Sequence, residues 1–143
     1  MTRGYAGIGL YQPKTPQNVG GVLRAAYCYN AAFVAQNGIR YEGSVLDTAK
    51  GYRHLPLFTV NDLLDALPYE CVPVAVDLLP NARSLPSYTH PERAFYLFGP
   101  EDGTLPDEIV ERCRDLIYIP TSFCMNLAAT VNVVLYDRLS KSA

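Results

Sequence analysis

Arg24, Asn18, Glu101, Cys124 and Asn126 are the polar residues whose surroundings suggest chemistry, because each stands in or beside a stretch rich in Gly, Pro, Asn or small side chains. Such stretches let a ligand approach the backbone closely. Arg24 lies six residues after Asn18 at the edge of an apolar segment, where its stem can snorkel over a core or its guanidinium can meet a ligand. Glu101 follows Gly99-Pro100 and can cap a helix or face a bound molecule. Asn126 opens an apolar run and can serve as its helix cap. Cys124 stands just before that helix start, where a thiol could act as a nucleophile. A cysteine nucleophile also needs an imidazole base, and His54 and His90 both fall in irregular segments with no evident pairing to it.

The elements that must position these residues alternate between short apolar runs and helical periodicity. That pattern predicts an α/β domain with a mainly parallel sheet flanked by helices. Strands are expected over Tyr5–Tyr11 and over residues 32–35, 72–79, 94–98 and 116–119, with a short extended piece at 55–60. Helices are expected over 18–29 with Asn18 as N-cap, from Asn61 through Leu63, Leu64 and Leu67, over 106–113, and over 126–139. The last reads as apolar on nearly every side, which calls for cover from a partner subunit. Residues 38–54 carry Arg40, Lys50, Arg53 and His54 without any sustained period and read as a mobile surface loop, a length more often functional than merely connecting. Residues 80–91 read as an irregular connection.

In a parallel sheet the ligand crevice lies outside the carboxyl ends of the strands. Three loops compete for that place: 13–21, 99–106 and 120–126. The Gly4-Tyr5-Ala6-Gly7-Ile8-Gly9 run is not a dinucleotide fingerprint, since more strand and two prolines follow it instead of a helix. The chain also has no phosphate loop ending in Gly-Lys-Ser/Thr.

Composition narrows the class further. The chain has 143 residues, 49% of them hydrophobic, and a formal charge of −2, which predicts one globular domain over residues 1–143. No apolar run is long enough to span a membrane and the first residues do not read as a secretory signal, so a cytoplasmic protein is expected. The four cysteines are spread singly, which argues against a disulfide framework or a metal site and for cysteines acting as small buried hydrophobes. The balanced charge excludes a broadly basic nucleic-acid binder while leaving room for a small basic groove.

Taken together, the three loops resemble the motifs of the TrmH/SpoU family of RNA 2′-O-methyltransferases. Pro16-Gln17-Asn18-Val19-Gly20-Gly21-Val22-Leu23-Arg24 is similar to the first motif. Leu97-Phe98-Gly99-Pro100-Glu101-Asp102-Gly103-Thr104-Leu105-Pro106 is similar to the second. Ile117-Tyr118-Ile119-Pro120 with Cys124-Met125-Asn126-Leu127-Ala128-Ala129 is similar to the third, Cys124 standing where the family usually has serine. The resemblance implies a SPOUT fold with a carboxyl-terminal trefoil knot and a homodimer built through the last helix. It further implies S-adenosylmethionine as methyl donor, held around Leu97, Gly99, Pro100, Glu101, Gly103, Ile119, Pro120, Cys124, Met125 and Leu127. By the same resemblance Arg24 activates the ribose hydroxyl, assisted by Asn18 and Asn126. Small stand-alone members of the family act mainly on tRNA, including the anticodon wobble ribose, with rRNA as the other substrate class. A catalytically idle RNA- or donor-binding protein of the same fold is the competing reading; the presence of Arg24 speaks against it.

Overall fold

The computed structural model describes residues 4–43, 45 and 54–142. Seven strands form one sheet: β1 (Tyr5–Tyr11), β2 (Phe33–Asn37), β3 (Leu57–Thr59), β4 (Val72–Val76), β5 (Arg83–Ser84), β6 (Arg93–Phe98) and β7 (Asp115–Tyr118). Their spatial order is β3-β2-β1-β6-β4-β7-β5, and every adjacent pair runs parallel. Among the described residues three α-helices accompany them: α1 (Pro16–Cys28), α2 (Asp107–Val110) and α3 (Leu127–Ser142). The expected α/β architecture is therefore the one observed.

The alternation within β1 explains why the sheet is covered on both faces. Ala6, Ile8 and Leu10 point to one side, where they pack with Val19, Val22 and Leu23 of α1 and Val131, Val134 and Leu135 of α3. The other side of β1 presents Gly7 and Gly9, and the space that side chains would fill there is taken by aromatic rings. A Cβ on Gly7 would lie 2.4 Å from the Phe33 ring, and one on Gly9 would meet Leu97 at 2.5 Å and the Phe95 ring at 2.9 Å. These glycines serve sheet packing, which is the physical reason they do not form a nucleotide fingerprint. Phe33, Phe95, Leu97, Leu63, Leu105 and Ile109 form the core on this second face.

Several element boundaries differ from expectation. The cap of α1 is Thr15, whose Oγ1 accepts from the Asn18 amide at 3.2 Å, and Pro16 occupies the first turn, where a missing N–H costs nothing. Asn18 is thus inside the helix and not its cap. Asn61 opens no α-helix: only a 3-10 turn, Leu63–Ala66, forms there, capped by Asp62. The helix expected over 106–113 contracts to four residues in α2, a single turn closed by the Val110 amide to Pro106 carbonyl bond at 3.1 Å and the Glu111 amide to Asp107 carbonyl bond at 2.8 Å and held by packing Ile109 into the core. The strand expected over 72–79 ends at Val76. The connection at 80–91 supplies the edge strand β5 and a 3-10 turn, Leu85–Ser87. Of the loop expected at 38–54, residues 44 and 46–53 lie outside the described residues; Tyr41 and Val45 pack against the first core.

Candidate functional site

The cleft at the carboxyl ends of β6, β4 and β7, three strands adjacent in the sheet, is the meeting point of the second and third motifs. Val76, Asp77 and Leu78 leave β4, Phe98, Gly99, Pro100, Glu101 and Gly103 leave β6, and Ile119 and Thr121 leave β7. Cys124 and Met125 precede α3, and Leu127 and Thr130 belong to its first turn. The cavity measures about 170 Å3. Its position is the one that parallel α/β topology reserves for ligands.

Gly99 shapes one wall. A Cβ there would stand 2.9 Å from the Leu105 amide nitrogen and 3.1 Å from the Thr104 carbonyl carbon, so the returning chain occupies the side-chain space. Leu105 is itself anchored: its amide donates to Asp77 Oδ2 at 3.0 Å, while Asp77 Oδ1 accepts from the Leu78 amide at 2.8 Å. Both oxygens of Asp77 are thereby committed to backbone, and the turn after β6 is fastened to the end of β4. Pro100 and Gly103 close the turn through a Gly103 amide to Pro100 carbonyl bond of 3.3 Å.

Asn126 caps α3. Its Oδ1 accepts from the Ala129 amide at 2.8 Å and its carbonyl accepts from Thr130 Oγ1 at 3.0 Å. That leaves its amide nitrogen as the side-chain group available to a substrate. Thr121 Oγ1 donates to the Phe123 carbonyl at 2.8 Å and folds the short segment between β7 and α3. Glu101 caps no helix, because α2 begins after Pro106 without a side-chain cap; Glu101 faces the cleft instead.

The sequence-derived residues distribute as follows. Gly99, Pro100, Glu101, Gly103, Ile119, Cys124, Met125 and Leu127 line the cleft together. Leu97 is fully buried beneath it, and Pro120 is exposed outside its lining. Arg24, Asn18 and Asn126 do not line the cleft of a single chain. Arg24 is exposed on α1, which crosses α3 so closely that a Cβ on Gly21 would stand 3.0 Å from the Ala128 Cβ. Ala128 follows Leu127 directly, so this crossing joins the helix of the first motif to the helix that floors the cleft.

Sequence reasoning missed Val76, Asp77, Leu78, Phe98 and Thr130 as lining residues. The signal was present in Val76-Asp77-Leu78: a polar residue straight after a valine-rich strand marks a strand exit. Reading the strand through to residue 79 hid it.

The cysteine reading is corrected in one respect. Cys28 and Cys124 are exposed, Cys71 is buried and Cys113 is half-buried, so burial is not the common property of the four. Neither histidine serves Cys124. His54 stacks on Tyr27 with ring centroids 5.1 Å apart, and His90 lies 2.7 Å from both Tyr96 Oη and Asp137 Oδ2. Among the described residues no cluster of His, Cys, Asp or Glu could hold a metal ion, and no helix is long and apolar enough to cross a membrane.

Comparison with known proteins agrees with this geometry. No curated protein sequence matches the chain. Several solved structures do match. The AdoMet-bound rRNA methyltransferase of Sinorhizobium meliloti superposes with a TM-score of 0.85 at 19% identity, over 99% of this chain and 58% of that one. The SpoU methyltransferase AviRb of Streptomyces viridochromogenes does so with a TM-score of 0.82 at 20% identity, over 96% and 61%. A protein solved for insight into the 2-OH methylation of C/U34 on tRNA gives a TM-score of 0.81 at 25% identity, over 99% and 92%. The chain thus spans about three fifths of the first two and nearly all of the third. The sequence model of the SpoU rRNA Methylase family matches residues 6–136, from β1 into the middle of α3, and the chain belongs to that family.

Proposed function

We propose that this protein transfers a methyl group from S-adenosylmethionine to a ribose 2′-hydroxyl of RNA, with tRNA as the favoured substrate. The observation that carries the reading is the cleft itself: second-motif and third-motif residues converge at the ends of β6, β4 and β7, where the turn after β6 packs closely on Gly99 and is fastened to Asp77. The residues present fit such a donor. Gly99, Pro100, Glu101, Gly103, Ile119, Cys124, Met125 and Leu127 would hold it, mainly through backbone groups, with Leu97 supporting the cleft from beneath and Asp77 keeping the turn in place. When bound, the donor supplies a methyl group activated by a sulfonium centre.

The chain's own part is to deliver the hydroxyl in line and to manage its proton. Arg24 carries a permanent charge and is a poor base, so its role is to orient the hydroxyl and an adjacent phosphate that takes up the proton. Asn18, about one and two-thirds turns earlier on α1, helps to position it. The amide nitrogen left free by the Asn126 cap is a donor for the ribose. Support for tRNA comes from the third structure above, which is 25% identical and similar in length; the family's own description keeps rRNA as the alternative.

The reading includes a homodimer through α3, working in the cytoplasm. Only one face of α3 is buried within the chain, by Leu127, Val131, Val134 and Leu135. Val133, Tyr136 and Leu139 are exposed on the same helix, with Phe123 exposed just before it, and a second copy would cover them. It also includes the trefoil threading of the family, consistent with β7 lying between β4 and the earlier strand β5.

The test is transfer of labelled methyl to separated tRNA and rRNA, followed by nucleoside digestion, with Arg24→Ala in parallel. A 2′-O-methylated nucleoside that disappears in the variant while donor binding persists is expected. Full activity of Arg24→Ala refutes its role, and donor binding without transfer to either pool turns the assignment to an idle binding protein.

A further inference from the structure

The turn that lines the donor cleft has a second side. Glu101 and Gly103 face the cleft, while Asp102 between them meets two cations. Arg40 binds it in a fork, Nη2 to Oδ1 at 2.7 Å and Nη1 to Oδ2 at 3.1 Å, and Lys14 Nζ stands 3.8 Å from Oδ2. The Arg40 fork is aimed by its own backbone ties: its Nε donates to the Gln12 carbonyl at 3.1 Å and its amide to the Pro13 carbonyl at 3.0 Å. Gln12 holds a φ of 48° to present that carbonyl, a conformation most side chains avoid.

Topology gives this cluster its meaning. Lys14 follows β1, Arg40 follows β2 and Asp102 follows β6, three strands adjacent in the sheet, all at their carboxyl ends. The cations therefore stand beside the cleft and next to the loop that enters α1, the helix of Arg24. Apart from Arg24, the other described cations sit elsewhere: Arg83 lies in the edge strand β5, Arg93 and Arg114 flank the amino ends of β6 and β7, Arg112 after α2 forks onto Asp62, and Arg138 and Lys141 are tied to carbonyls near the start of β1 and before β6. A planar guanidinium fork presented to two oxygens suits a phosphodiester as well as a carboxylate. Asp102, Arg40 and Lys14 keep 44%, 37% and 57% of their side chains exposed, so an incoming phosphate can reach them.

On the reading of the cleft as an RNA methyltransferase site, we infer that Lys14 and Arg40 form an RNA phosphate site beside it, and that Asp102 fills this site as an internal phosphate mimic until RNA displaces it. The substrate backbone then binds by exchange: Arg40 and Lys14 pass from the Asp102 carboxylate to a phosphodiester next to the target ribose. A chain of net charge −2 thereby keeps its few catalytic-side cations neutralised when RNA is absent.

The exchange makes a prediction opposite to that of a static clamp, because removing an intramolecular competitor must strengthen RNA binding. The experiment measures binding of fluorescein-labelled unmodified tRNA against salt concentration for the wild type, Asp102→Asn, Arg40→Ala and Lys14→Ala, with donor affinity by calorimetry in parallel. Asp102→Asn is expected to tighten tRNA binding about two- to fivefold at low salt, the scale of one exposed charge pair, with the gain fading as salt rises. Arg40→Ala and Lys14→Ala are each expected to weaken binding and to reduce the slope of log K against log salt by about 0.7–0.9. Unchanged or weaker tRNA binding by Asp102→Asn overturns the inference, whatever happens to donor affinity. Inorganic phosphate at matched ionic strength separates an RNA backbone from a free anion; a gain seen for phosphate alone also overturns it. Methyl transfer by the wild type with no gain in Asp102→Asn defeats this inference and leaves the enzymatic reading standing. The gain without methyl transfer to any RNA does the reverse.

Discussion

Replacing Gly99 with alanine is the most direct test of the cleft wall. The added methyl would stand 2.9 Å from the Leu105 nitrogen, 3.1 Å from the Thr104 carbonyl carbon and 3.3 Å from the Thr104 Cα, all backbone atoms. Restoring ordinary contact requires the turn to retreat by about 0.5 Å, and overpacking of this kind costs about 1–3 kcal/mol. The turn has little room to give, because the Leu105 amide is bonded to Asp77 and the Leu105 side chain is buried in the second core. The strain can appear in two places: as lost stability, with a midpoint lowered by about 2–4 °C per kcal/mol in a domain of this size, or as a displaced wall that weakens donor binding about tenfold per 1.4 kcal/mol. Thermal unfolding and calorimetric titration with S-adenosylmethionine, run on the same preparation, read both. The expected result is at least a tenfold loss of donor affinity with a fall of a few degrees in the midpoint. A variant that binds donor within about twofold of the wild type and melts at the same temperature would show that the turn is not packed as described, and would remove the steric basis of the cleft.

The remaining predictions concern the supports of the site. Asp77→Ala removes the acceptor for the Leu105 amide and should weaken donor binding by about tenfold to a hundredfold, the scale of a hydrogen bond to a charged group; Asp77→Asn, which keeps one acceptor, should recover part of it in the same titration. Tyr136→Arg places a charge on the uncovered face of α3 and should shift the protein from dimer to monomer in sedimentation velocity while leaving the fold intact by circular dichroism. Acidification should destabilise the protein through His90. Burial lowers the pKa of this imidazole below its ordinary 6.5, against the opposing pull of Asp137. Its neutral ring accepts from Tyr96 through Nδ1 and donates to Asp137 through Nε2, with Arg138, Lys141 and Tyr88 also facing the cluster. Below about pH 6.5 the unfolded chain takes up a proton that the folded chain refuses, so stability is full above that pH and declines as pH falls toward 5. Urea titrations should show this slope in the wild type and a shallower one in His90→Gln.

Local chemistry made much of this protein legible in advance. Apolar runs such as Val72–Val76 and Arg93–Phe98 bury both faces of a parallel strand, so hydrophobicity alone identifies them. The Gly-Pro-Glu and Cys-Met-Asn segments stood out because glycine, proline and helix caps have narrow backbone uses, and the structure places both segments on one cleft. Short helices were less legible: α2 and the turn at Leu63 exist because Ile109 and Leu63 find a core to enter, and that core is built from strands distant in sequence.

What only the tertiary structure decided is which residues share a surface. Asp77 clasps Leu105 across 28 positions of chain, and Arg40 meets Asp102 across 62, because the order β2-β1-β6-β4 brings the ends of those strands side by side. Strand order is set by how crossover helices pack on a twisted sheet, a global property that no single segment encodes. The sequence by itself therefore determined the chemical vocabulary of the site, down to Gly99 and the Asn126 cap of α3, whereas the pairing of its loops and the second face of the Asp102 turn arose only when the strands took their places.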